Sequence, residues 1–510
     1  MKTNQLKAGA ALSYISMGLG YIISILYTPI MLRLLGQSEY GLYNLVASIV
    51  SYLGLLSFGF GSAYVRYYSR YKVKGEQKNI ATLNGMFLIV FSAIGLVAVL
   101  AGSVLVFNIN IILGDKLTAV ELSTAKVLMA IMVFNISLSF PTSIFNSYVT
   151  ANEEYIFQKV LQMVKIIVNP FVMLPVLLMG YKSIGMVVVT TIFTILVEFI
   201  NIIFCLKKLK MKFLFKQFDF TLMKEMTVFS SYIFINMIID QVNWNVDKFI
   251  IGRFIGTVGV AVYGLAAQLN TYYLSLSTSI SSVFVPRINR MVAVNDNKDE
   301  LTNVFTRIGR IQFIILSLIC SGLIFFGKPF INMWAGADYD GAYPIALILI
   351  IPVTIPLIQN IGIEIQRAKN MHQFRSWVYL FIAIGNIILS IPLTKLYGGI
   401  GAAIGTAIAL LIGNGLVMNW YYHKKVGLDI KYFWSKILKF VPSFIAPTVA
   451  GIFIVLFIDI HHPIPFLICG IIYVMVFSAS MWFLGMNQYE KDLIVVPMKK
   501  ILIKMKLYKG

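Results

Sequence analysis

Fourteen apolar runs punctuate the chain, at approximately 8–34, 41–65, 81–107, 124–150, 157–180, 184–206, 222–251, 258–285, 304–334, 343–366, 373–395, 399–422, 438–459 and 464–485. Each is long enough to cross a hydrocarbon core, which is about 30 Å thick and takes roughly 20 helical residues. In that solvent every backbone N–H and C=O must be paired inside the chain, so helices and closed barrels are the only spanning structures. The runs lack the period-2 alternation of barrel strands. The sequence therefore predicts an all-α polytopic membrane protein with 14 transmembrane helices. Charged residues make up 12% of the chain, against about 25% in soluble domains, and no connection is long enough to fold as a soluble catalytic domain.

The first run follows only Lys2 and Lys7 and has no small-residue cleavage site, so it reads as an uncleaved helix. Cys205, Cys320 and Cys469 lie far apart inside apolar runs and form neither a disulfide framework nor a metal set. His372, His423, His461 and His462 fall in connections. No catalytic constellation, metal or cofactor is expected.

Net charge is +21. Nucleic-acid binding would need these cations on a water-facing module with aromatic platforms, which the sequence lacks. Their distribution is instead a topology signal. With the N-terminus inside, 34 of the 42 Lys and Arg residues fall on inner segments, which predicts that both termini are cytoplasmic. The cations also favour anionic lipid headgroups. In the tail, Lys499, Lys500, Lys504 and Lys506 alternate with Ile501, Leu502, Ile503 and Leu507, as in a helix lying on the inner surface. The longest outer connection, about 108–123, carries Asp115, Lys116 and Glu121 and suggests no role.

The chain repeats itself. Arg33, Gly36, Tyr43, Leu45 and Ala47 recur 220 residues later as Arg253, Gly256, Tyr263, Leu265 and Ala267. Tyr181, Ile184, Gly185, Thr190 and Ile192 recur 216 residues later as Tyr397, Ile400, Gly401, Thr406 and Ile408. These matches lay helices 1–6 over helices 7–12, two lobes of equal topology related by a pseudo-two-fold along the membrane normal. The expected organisation is 1–216, 217–431, a C-terminal helix pair in 432–490 and a basic cytoplasmic tail, 491–510. The extra pair has two open uses: a hydrophobic groove for a lipid tail, or padding of the bundle.

The first outer loop, Leu35-Gly36-Gln37-Ser38-Glu39-Tyr40-Gly41-Leu42-Tyr43, is preceded by Tyr27-Thr28-Pro29 and followed by Phe58-Gly59-Phe60-Gly61 and Val65-Arg66. With Asp247-Lys248-Phe249-Ile250-Ile251-Gly252, Gly256, Gly259 and Tyr263, it resembles the polysaccharide flippases of the multidrug, oligosaccharidyl-lipid and polysaccharide exporter superfamily, over essentially the whole chain. The resemblance implies a transporter rather than an enzyme. Its cargo would be undecaprenyl-diphosphate-linked oligosaccharide units for O-antigen or capsule, moved outward across the bacterial cytoplasmic membrane by alternating access. It also implies a monomer working beside polysaccharide polymerase and glycosyltransferases. The rivals are a cation-coupled multidrug exporter, a lipid II flippase and a membrane glycosyltransferase or polymerase. Lipid II flippases place several cations within helix 1, where this chain has Arg33 only at the outer end. The polymerase reading needs a sizeable outer loop that is absent.

Ionisable groups inside a membrane are costly and mark either a pathway or a buried pair. Asp240, Asn243 and Asp247 share one face of helix 7, with Gln241, Asn245 and Lys248 beside them. Asp240 is deep, whereas Asp247 and Lys248 lie nearer the interface, where a structural role is as plausible. Glu198 in helix 6 could bind a coupling cation or pair with Lys165. Arg33, Arg66, Arg253 and Arg287 end corresponding helices of the two lobes. An Arg fork suits diphosphate, and interfacial anchoring is the alternative. Glu364 and Arg367 read as a local rim pair. Ser13, Ser16, Gly20, Ser24 and Thr28 form a small-residue stripe on helix 1, either a packing face or a sugar-facing one. No GxxxxGK[ST] loop suggests ATP use. Two negative charges leaving an inside-negative cell gain roughly 4.6 kcal/mol per 100 mV, so potential drive and exchange for H⁺ or Na⁺ at Asp240 or Glu198 both stay open.

Overall fold

The computed structural model describes residues 2–215 and 218–504, and among them there is no strand. Lys216, the tail beyond Lys504, and the side chains of Lys500 and residues 501–504 lie outside the described residues. Among the described residues, eleven helices are long and apolar enough to cross a membrane, or twelve when Ala342–Ile358 and Asn360–Ala368, bent by 41°, count as one span. By contacts the chain forms two units: one runs through Gly264 and includes Ile387–Ala402, and the other holds Leu265–Asn386 and everything from Ala403.

The first unit contains α1 (Lys2–Leu35), α2 (Gln37–Ser51), α3 (Phe60–Lys74), α4 (Gln77–Phe107), α5 (Ile109–Leu113), α6 (Ala119–Ala151), α7 (Tyr155–Leu178), α8 (Lys182–Ile203), α9 (Phe220–Phe254) and the start of α10 (Thr257–Asn295). Helix α4 packs on α6, α1 on α7, and α6 on α8. Ser16 and Thr28 of the α1 stripe are buried, the close-packing use of such residues. An aromatic core of Tyr64, Phe87 and Phe91 lies between α3, α4 and α6. Tyr64 donates to Asn84 Oδ1 at 2.5 Å and the Asn84 amide donates to Lys212 O at 2.8 Å, so the polar atoms in this core have partners.

The predicted run 41–65 is broken in the structure. Helix α2 ends at Ser51, a tight turn follows over Tyr52–Ser57, and Phe58 and Gly59 take φ of 53° and 72° before α3 restarts. Helix α9 crosses closely at the break: a Cβ on Gly59 would lie 2.6 Å from Ile233 Cγ2.

The outer connection that suggested no role turns out to anchor the unit. Thr118 and Glu121 form a reciprocal capping box at the start of α6. The same Glu121 carboxylate accepts the hydroxyls of Ser38 at 2.6 Å and Thr257 at 2.7 Å, and Ser183 donates to Glu39. Three helix starts, those of α2, α6 and α10, thus meet on one carboxylate. Gly41 lets them meet, since a Cβ there would lie 1.9 Å from Thr257 O.

The second unit holds the rest of α10, α11 (Lys298–Ala335), α12 (Ala342–Ile358), α13 (Asn360–Ala368), parts of α14 (His372–Leu410), α15 (Asn419–Tyr421), α16 (Ile430–Leu438), α17 (Ile445–Phe457), α18 (Pro463–Ser480) and α19 (Gln488–Lys504). Helical structure continues from Gln373 to Val426, but Gly398 (φ 62°, ψ −140°) interrupts it. Helix α11 is the centre of the unit and packs on α12, α13, α16, α17 and α18. In its N-terminal part Arg310 is 5% exposed and meets Glu490, 2% exposed. Arg310 Nε donates to Glu490 Oε1 at 2.5 Å and Nη2 to Oε2 at 2.9 Å, and the fork also reaches Lys436 O and Gly485 O. This bidentate pair ties α19 and the extra helix pair to α11.

Two substitutions test these joints through the unfolding midpoint of the full-length protein in detergent. Gly41→Ala should cost about 2 kcal/mol by overpacking against Thr257. Arg310→Met should cost about 3–5 kcal/mol by stranding Glu490, and Arg310→Met with Glu490→Leu should recover most of it.

Candidate functional site

In the first unit, α9 turns its polar stripe along α2. Gln241 and Ser51 exchange hydrogen bonds at 3.1 Å, and Asn245 donates to Gln241 Oε1 at 2.6 Å. Asp240 is exposed, Asn243 and Lys248 are half-buried, and Asp247 is 2% exposed. Tyr263, itself buried, donates to Asp247 Oδ2 at 2.6 Å. The helix face predicted for these residues therefore divides. Asp247 is a packing joint between α9 and α10, and Asp240 with Asn243 is the accessible part.

The four arginines do not form one site. Arg33 is exposed. Arg66 stacks over Phe229 at 4.5 Å. Arg253 donates to Ile111 O at 3.0 Å and lies against Gly114, where a Cβ would come within 1.9 Å of its guanidinium, so it holds the outer connection in place. Glu364 and Arg367 form the expected local ion pair at 2.8 Å.

Glu198 of α8 accepts both its hydrogen bonds from Asn146 Nδ2, at 3.1 and 3.2 Å, and Asn201 donates to Asn146 Oδ1 at 2.8 Å. Lys165 acts on it through space, and the ion pairs among the described residues do not include it. The partners of this half-buried carboxyl group are thus neutral amides.

Arg287 lies in the second unit, in a pocket of about 740 Å³ between the C-terminal part of α10 and the N-terminal part of α11. Arg290 and Arg307 line the same pocket, with Glu300, Asn303 and Pro286. Arg307 was not a candidate from sequence, although Arg287 and Arg290, and Arg307 and Arg310, are spaced to share a helix face. Three guanidiniums against one carboxylate make a cradle for a multiply charged anion. The same two helices, with α12 and α18, enclose an apolar groove of about 650 Å³ lined by Leu276, Leu318, Leu323, Phe326, Ile350, Phe466 and Tyr473. Tyr273 also lines it, but its hydroxyl bonds to Thr354 at 2.7 Å. Gly322 and Gly470 lie on the groove with open space where a Cβ would be. Along α10 the groove and the pocket are separated by the stretch from Leu276 to Val283, roughly 10 Å of helix.

Comparison with known proteins agrees with this architecture. The chain is 21% identical over 409 residues to a protein of Shigella flexneri named "Putative O-antigen transporter", covering 79% of this chain and 94% of the relative. It is 24% identical over 178 residues to the "Probable flippase AglR" of Haloferax volcanii, 34% of this chain and 37% of that one. The lipid II flippase MurJ, in an inward closed conformation, superposes with a TM-score of 0.72 over 96% of this chain and 99% of its own, at 18% identity. A multidrug resistance MATE family transporter of the MOP superfamily follows with a TM-score of 0.63 over 82% of this chain and 96% of its own, at 13% identity. At these identities the structural likeness is one of fold. Residues 6–292, more than half of the chain, match the family described as polysaccharide biosynthesis protein, and the protein belongs to that family.

Proposed function

We propose that the protein is a flippase that carries undecaprenyl-diphosphate-linked oligosaccharide units from the cytoplasmic to the outer leaflet by alternating access. The observation that carries this reading is the placement of the arginine pocket and the apolar groove on one helix pair, α10 and α11. A polyprenyl diphosphate is an anion joined to a long apolar chain, and it needs both surfaces at that spacing. The groove uses α18 of the extra helix pair, which favours the lipid-tail use of that pair over padding. The names of the O-antigen transporter and flippase relatives support the cargo class.

On this reading the chain has 14 spans. Counting the bent pair as one, dividing the long helix at Gly398 and admitting α10, whose many hydroxyls lower its hydropathy, raises eleven to fourteen. Two six-helix lobes, 1–216 and 217–431, then precede the pair. Gly36 and Gly256, matched in the sequence repeat, both take positive φ (77° and 104°), which supports the repeat. Both termini would be cytoplasmic, in the inner membrane of a bacterium, with the arginine pocket at the inner face. The protein would act as a monomer and not as an enzyme, passing its cargo from glycosyltransferases to a polymerase.

Reconstitution in vesicles with a labelled undecaprenyl-diphosphate oligosaccharide tests the reading. Outward movement should accelerate under an inside-negative potential, and Arg287→Ala should weaken apparent affinity about tenfold through a lost charge-assisted hydrogen bond. Absence of leaflet exchange with any native glycolipid, or covalent change of the sugar, would sink it. Glu198→Gln keeps an amide-compatible shape and removes the charge. Any stimulation by an imposed H⁺ or Na⁺ gradient should vanish in that variant while potential-driven movement persists, and an unchanged gradient response removes Glu198 from the cycle.

A further inference from the structure

One arginine of the pocket between α10 and α11 also touches a third helix. The Arg307 guanidinium lies over the ring of Tyr489, 5.0 Å from its centroid. Tyr489 belongs to α19, the helix after the last span, and precedes Glu490, the partner of Arg310. On α11 the two arginines are one turn apart, and on α19 their partners are adjacent. Arg307 and Arg310 thus grip α19 at two neighbouring points, one a ring face and the other a buried carboxylate.

The carboxylate is itself fixed. Asn487 N and Nδ2 donate to Glu490 at 2.9 and 3.2 Å, and Glu490 N donates back to Asn487 Oδ1 at 3.0 Å. Glu490 and Arg310 are almost fully buried, whereas Tyr489 is 38% exposed and Arg307 is exposed. An exposed arginine side chain holds no single geometry without a surface to lie on, and a ring face supplies one while leaving the N–H donors pointing outward.

We infer that Tyr489 is a positioning residue for the anion pocket, its ring holding the Arg307 guanidinium in place and the Arg310 and Glu490 lock holding the ring. The C-terminal helix is therefore part of the phosphate-recognition apparatus and does more than lie on the membrane. This inference rests on the reading of the pocket as an anion site, and the test separates the two.

Inorganic pyrophosphate is titrated calorimetrically, at low salt, into the purified full-length protein in detergent. Arg307→Ala should weaken binding about tenfold. Tyr489→Ala and Tyr489→Leu should each weaken it about two- to five-fold, the worth of an exposed cation–π contact. Tyr489→Phe should bind as the unsubstituted protein does, and Arg307→Ala with Tyr489→Ala should match Arg307→Ala alone. Tyr489→Leu preserves apolar packing, so a general loss of fold is separated from loss of the ring. Full binding by Tyr489→Ala or Tyr489→Leu, equal weakening in Tyr489→Phe, or additive losses in the double variant would overturn the role of the ring. Unchanged binding in Arg307→Ala would overturn the pocket reading itself.

Discussion

Hydrocarbon offers no hydrogen bonds, and this denial of solvent organises the polar side of the molecule as much as the apolar one. An unpaired polar group in that medium costs several kcal/mol. Asn84 is therefore joined to Tyr64 and Lys212, and Gln312 donates to Ser277 O and Ser281 Oγ at 3.1 and 2.7 Å. Arg310 presents the extreme case, with a guanidinium whose donors reach one carboxylate and two carbonyls. Polar groups that the packing uses in this way are separated from those that stay accessible, Arg287, Arg290, Arg307 and Asp240, and only the second class can meet a cargo.

The two surfaces on α10 and α11 have different energetic roles. Burying methylenes from water gains about 0.8 kcal/mol each, but a polyprenyl chain leaves lipid, not water, when it enters the groove. Lipid tails are as apolar as leucine, so the groove contributes little affinity. It aligns the chain. Affinity has to come from the head, where each charge-assisted hydrogen bond to an arginine contributes roughly 1.5–3 kcal/mol. An amphiphile held at its head and aligned at its tail can move its polar part without its apolar part leaving lipid.

The all-helical, multi-span character of the chain was legible because length and hydropathy are properties of contiguous residues. What the sequence did not reveal was made by contacts between distant ones. The break between α2 and α3 has a local signal in Gly59 and Gly61, but the close approach of Ile233 to Gly59 has none. Arg287, Arg307 and Arg310 look alike as cations flanking the same spans, yet Arg310 is sequestered by a residue 180 positions away while the other two line a pocket. Glu121 was locally legible as a helix start, since Thr118-x-x-Glu121 before an apolar run is a capping box, but the hydroxyls of Ser38 and Thr257 that meet it come from distant positions. Asp240, Asn243 and Asp247 share a face by spacing, as expected, but burial along that face is set by Tyr263.

The residues that carry the family resemblance are those most committed to packing. Ser38 is bonded to Glu121, Glu39 to Ser183, Tyr40 is buried, and Gly41 exists to admit the Thr257 carbonyl. Ser38, Glu39 and Gly41 of this motif are thus engaged in joining helix starts. Relatives can therefore share this loop and differ in cargo, and the likeness of fold to lipid II flippase and MATE transporters at 18% and 13% identity fits that division. On the proposed reading, substrate choice would then rest on polar groups that packing does not bury, such as the arginines of the pocket between α10 and α11.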